Sequence, residues 1–169
     1  MMDASELTRT ALLLSLLSVS VYTDVRHGKI FNKVVLPCIP VGFAIWTVSD
    51  GADGALAALA GIGVGCIGLF VAGVFGWIAP GDAKLLVAVG SLMGARFVGT
   101  AMILGALAGG VIGLAIMIRR RLLGRWATGM AIAMGAHLPV SNLWVERAGY
   151  IPYSIPIAIG CALAGVISF

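Results

Sequence analysis

Charge is what this sequence has least of. Only 11% of its 169 residues are Asp, Glu, Lys or Arg, against roughly 25% in an ordinary soluble domain. Apolar residues make up 60% before the 24 glycines are counted, and the mean hydropathy is +1.08. A chain with so thin a polar coat excludes disorder, a nucleic-acid-binding domain and a soluble enzyme. It reads as an all-α integral membrane protein with the lipid bilayer as its solvent. Cysteine and histidine are also scarce. Cys38, Cys66 and Cys161 are scattered through apolar runs and form no C-x-x-C pair, so neither a zinc knuckle nor a disulfide framework is supported. His27 and His137 stand alone, without a second imidazole at ligand spacing, so no metal is implied. No serine or cysteine has a base placed beside it by motif.

Six apolar runs remain, and they form one domain over residues 1–169. They are Leu7–Thr23, Val34–Val48, Ala55–Ile78, Ala83–Ala95, Phe97–Ile118 and Ile151–Phe169. Each is read as a transmembrane helix, the short fourth run being either re-entrant or a tilted helix beside a snorkelling Lys84. The first run has Asp3 and Glu6 beside Arg9 and no A-x-A site after it, so it reads as a retained helix rather than a signal peptide. Pro37 and Pro40 are expected to bend the second, since each removes a backbone hydrogen bond. Gly61 and Gly65, and then Gly105, Gly109 and Gly113, recur at four-residue spacing, which lets helix backbones approach and argues for a compact bundle.

The basic residues orient these spans. Alternation puts residues 24–33, 77–84 and 119–149 on one side, with Arg26, Lys29, Lys33, Lys84, Arg119, Arg120, Arg121, Arg125 and Arg147; the other side keeps Arg9 and Arg96. That asymmetry makes the first side cytoplasmic and both termini external. It also accounts for a net charge of +4 without a nucleic-acid partner. Residues 119–149 are read as a cytoplasmic, partly interfacial loop.

Two acidic residues have no routine place in a loop or terminus. Asp24 closes the first run in Tyr22-Thr23-Asp24-Val25-Arg26, and Asp82 opens the fourth in Ala79-Pro80-Gly81-Asp82-Ala83-Lys84. Both fall at the cytoplasmic membrane boundary, where an ionisable group is a candidate for function. Structural readings stand beside this one: Asp82 suits a helix N-cap, and Asp24 an ion pair with Arg26 or Lys29. As a pair, two neighbouring carboxylates that share one proton can activate a water and protonate a peptide group, the chemistry of an aspartic protease. The start of a helix favours the anion and its end does not, so Asp82 is expected to be the ionised base and Asp24 the proton-bearing partner. A small transporter or channel component using Asp24 and Asp82 as a proton or cation relay is the alternative.

At these residues the sequence resembles the type IV prepilin peptidases, in particular the short CpaA/TadV-like form of Tad-type pilus systems. Asp24-Val25-Arg26 followed by Ile30-Phe31-Asn32 is similar to the family's first motif, and Gly81-Asp82-Ala83-Lys84-Leu85 to its Gly-Asp-x-Lys-Leu motif. Ile151-Pro152-Tyr153 with Gly160 resembles its closing Pro-Tyr pattern. Ala79, Phe31 and Ser154 depart from it, standing where glycine, proline and glycine are usual.

The resemblance implies a bacterial inner-membrane endopeptidase. Its substrate would be a prepilin or pseudopilin, with a basic leader ending in glycine ahead of an apolar helix with an early glutamate. It implies Asp24 and Asp82 as the catalytic pair, with Gly81, Lys84, Arg26 and Asn32 as supporting motif positions. No metal or organic cofactor is implied. The paired-cysteine insertion that accompanies N-methylation in longer members has no counterpart here, so cleavage without methylation is expected.

Overall fold

A computed structural model describes residues 4–75, 80–119 and 153–168. These residues form four helices: α1 (Ala4–His27), α2 (Asn32–Phe75), α3 (Pro80–Arg119) and α4 (Ser154–Ser168), with no strand among them. Three stretches are long and apolar enough to cross a membrane: Ala4–His27, Asn32–Gly68 and Gly81–Ile116.

Six separate helices were expected, and the difference lies in the connections. α2 is broken at Gly51 (φ 62°, ψ −134°) and α3 at Gly94 (φ 83°, ψ 176°), so each consists of two helical arms joined at one residue. Both glycines have positive φ, a conformation that side chains with a Cβ rarely adopt, and a single such residue suffices to turn the chain. The prolines do not break α2: helical backbone angles persist through Pro37 and Pro40. The expectations for Ala79 and for most of the 119–149 loop fall on residues 76–79 and 120–152, outside the described residues.

Close contacts fix the directions of the arms. Lys84 hydrogen-bonds Asn32 at one end and Trp46 hydrogen-bonds the Leu92 carbonyl at the other, so arm 32–50 runs parallel to arm 80–93. Arm 52–75 runs back. A Cβ on Gly61 would collide with the Gly90 carbonyl, and one on Gly65 would lie 2.7 Å from Val87 Cα. Arm 95–119 returns beside it, with Met102 against Gly68. α4 is antiparallel to that arm, Gly160 lying on Gly105 and Pro156 on Gly105 and Gly109. Four of the glycines singled out by their spacing thus sit at helix crossings, while Gly113 has nothing within 4 Å of a built Cβ among the described residues.

The end of α1 and the starts of α2, α3 and α4 therefore share one end of the bundle. α3 forms the centre: Leu85, Val89, Leu92 and Val98 are fully buried, and Leu13, Leu16 and Leu17 of α1 join the same core. The outside is as apolar as the inside, with Leu56, Ile67, Phe70, Ile103, Leu107 and Val111 all more than 60% exposed. In water such a surface would aggregate; in lipid it is the surface a membrane helix presents.

Candidate active site

Asp24 lies in the last turn of α1. Gly28, with φ 63°, ends that helix in the left-handed conformation, and its N–H donates to the Asp24 carbonyl at 2.8 Å. Leu13, Leu16, Leu17, Ser20 and Asp24 recur every three or four residues and form the buried stripe of α1, which carries the carboxyl group inward. Asp24 is 2% exposed, and its Oδ2 accepts two bonds from Ser154: the hydroxyl donates at 2.6 Å and the backbone N–H at 3.2 Å.

Asp82 is in the first turn of α3, which begins at Pro80. Proline suits this place because its missing N–H would have no helical partner. The helix therefore starts ahead of Asp82, and the side chain does not serve as the expected cap: its Oδ1 is buried and has no hydrogen-bond partner among the described residues. Leu85 and Leu86 below it are buried, and Asp82 itself is 4% exposed. Asp24 and Asp82 are near enough to interact electrostatically. Residues 58 positions apart in sequence (82 minus 24) thus place two buried carboxyl groups at one end of the bundle. The expected ranking of the pair by helix ends does not stand. Besides the end of α1, Asp24 also meets the start of α4, a helix end of the opposite polarity.

The other motif positions divide. Lys84 Nζ donates to Asn32 Oδ1 at 3.3 Å, which ties the start of α2 to the turn carrying Asp82. Arg26 is exposed and donates to the Tyr22 hydroxyl at 2.8 Å along its own helix. Gly81 faces Ile30, where a Cβ would make an ordinary 3.5 Å contact, so packing against the described residues does not require the glycine. Among the described residues no three His, Cys, Asp or Glu side chains converge to hold a metal ion. Ser154, fully buried on Asp24, is the site residue that the sequence marked only as a departure from a motif. The two are 130 positions apart, and no local pattern links them.

A sequence profile of the type IV leader peptidase family matches residues 11–114, a stretch that contains both aspartates. The chain belongs to the type IV leader peptidase family. Neither the curated proteins nor the solved structures contain a match to it. Membership makes this leader peptidase a hydrolase of peptide bonds, and its apolar helices agree with a membrane protein. The match ends at residue 114, so α4 and Ser154 lie beyond it.

Proposed function

We propose that this leader peptidase is an aspartic endopeptidase of the bacterial inner membrane that removes the basic leader from prepilins or pseudopilins, with Asp24 and Asp82 as its catalytic pair. The observation that carries the proposal is that two buried carboxyl groups from different helices lie at one end of the bundle, near enough to interact electrostatically. Two carboxyl groups held near each other in a poorly solvated place resist ionising together and can share one proton, and the buried Asp82 Oδ1 has no hydrogen-bond partner among the described residues. In the reaction one carboxylate takes a proton from water, and the resulting hydroxide adds to the carbonyl carbon of the leader's last glycine. The other carboxyl group protonates the departing nitrogen as the C–N bond breaks, giving a leader carboxylate and a free amine. No covalent enzyme intermediate and no cofactor are required.

Six crossings, one for each helical arm and one each for α1 and α4, fit the directions of the arms. Arg26, Lys29, Lys33, Lys84 and Arg119 then gather at the aspartate end and Arg9 and Arg96 at the other, which supports a cytoplasmic site and external termini. Without a paired-cysteine insertion the activity would be cleavage without N-methylation. The test is to present a synthetic prepilin-type segment, with a basic leader ending in glycine before an apolar helix, to sealed vesicles containing the chain. Cleavage after the glycine when the cytoplasmic face is outward is expected. Cleavage confined to vesicles of the opposite orientation would contradict the topology, and no cleavage in either would contradict the activity.

A further inference from the structure

The leader-peptidase profile ends before α4, yet α4 donates two hydrogen bonds to one of the two aspartates. Ile157 N–H donates to the Tyr153 carbonyl at 3.3 Å, so the first helical bond of α4 closes over Ser154, and the Ser154 N–H is among the amides that a helix start leaves without a partner. Local side chains usually fill that place. Here Asp24 fills it from another helix, 130 residues away, and the Ser154 hydroxyl adds a second, shorter bond to the same oxygen. α4 is held in register by its crossings with α3, where Pro156 lies on Gly105 and Gly109 and Gly160 lies on Gly105. The position of Ser154 is therefore set by the second arm of α3, which Gly94 joins to the arm that carries Asp82.

We infer that Ser154 is a positioning residue of the catalytic pair: its hydroxyl and N–H fix the rotation of the Asp24 carboxylate and set it relative to Asp82. This rests on the assignment of Asp24 and Asp82 as the catalytic pair. The charged groups nearest in sequence have contacts of their own. Arg26 bonds Tyr22, Lys84 bonds Asn32, and the His27 ring packs edge-on against Phe31. Lys29 and Lys33 are exposed, and no acidic or basic residue lies in α4. A hydrogen bond to a charged group that forms the reacting geometry should affect turnover more than substrate binding.

The test compares the full-length chain in lipid with Ser154→Ala, Ser154→Gly and Ser154→Thr, using the synthetic prepilin-type segment at equal enzyme abundance. Alanine and glycine both remove the hydroxyl but differ in backbone freedom, so a loss they share belongs to the hydroxyl. Both are expected to lower kcat about tenfold with KM within about twofold, and threonine is expected to restore most of the loss. Unchanged kcat in either hydroxyl-free variant, a matching rise in KM, or no recovery with threonine would overturn the inference while leaving the peptidase reading in place. Absence of cleavage by the wild-type chain as well would overturn that reading and the inference with it.

Discussion

Each end of the bundle buries charge, and the two ends do so differently. At the end away from the aspartates a single cation, Arg9, is 7% exposed. Its guanidinium lies 3.7 Å from the centre of the Trp46 ring and its Nε donates to the Ser5 carbonyl, while its Nη1 is buried without a hydrogen-bond partner among the described residues. Trp46 in turn donates to the Leu92 carbonyl at 3.0 Å. One charge is spread over an aromatic face and linked to two other helical arms, an arrangement that holds helices together. At the other end two acidic groups lie near enough to interact electrostatically, Asp24 with two donors from Ser154 and Asp82 with a buried oxygen lacking any among the described residues. A fold built for stability alone has no use for that pairing. The contrast separates a charge that serves the scaffold from charges the scaffold must tolerate, and the second kind marks the reaction.

The largest effect should come from disturbing what both ends share. Gly61→Leu puts a side chain against the Gly90 carbonyl and should cost about 3 kcal/mol or more. It is expected to lower the thermal midpoint in lipid and to abolish cleavage together. Retention of either would mean that the helices can separate without loss of the fold. Arg9→Ala should act on one end only, lowering stability by about 1–3 kcal/mol through the lost ring contact and hydrogen bond. Its kcat for the prepilin-type segment should remain within about twofold of wild type if the far end plays no part in the reaction; a tenfold fall in kcat at full abundance would erase the distinction between the ends. Asp82→Asn gives the opposite pattern for stability. Replacing one of two carboxyl groups that resist ionising together should leave the thermal midpoint unchanged or raise it, with a gain in stability of less than about 1 kcal/mol. The smallest effect is Lys84→Ala, which removes one long bond to Asn32 and is expected to lower kcat/KM about threefold.

Much of this contrast was legible in the sequence. The two aspartates stood out because each ended or began an apolar run, and a charge there needs a reason. The bundle was legible from glycine spacing, since four-residue steps put small residues on one helix face. The helix breaks were not. Pro37 and Pro40 looked like the places to bend α2, but helical backbone angles persist through both, since membrane helices accommodate proline, and the breaks fall at Gly51 and Gly94. A packing glycine and a breaking glycine look alike in one dimension. Ser154 was illegible for a related reason. Its bond to Asp24 depends on how α4 crosses α3, and the polarity that Asp24 meets at the start of α4 could not be inferred from α1 alone.

The central claim is that Asp24 and Asp82 act chemically rather than structurally, and asparagine separates the two roles. Asparagine caps a helix about as well as aspartate does, so a residue that only anchors α4 or begins α3 would keep its function when substituted. It cannot exchange the proton. The measurement is leader cleavage of the prepilin-type segment in membranes by wild type, Asp24→Asn and Asp82→Asn, with insertion and abundance shown to be equal. The account predicts a loss of at least about a hundredfold in each variant. Near-wild-type cleavage by either one would contradict it and would return the pair to the role of a proton or cation relay, or to scaffold.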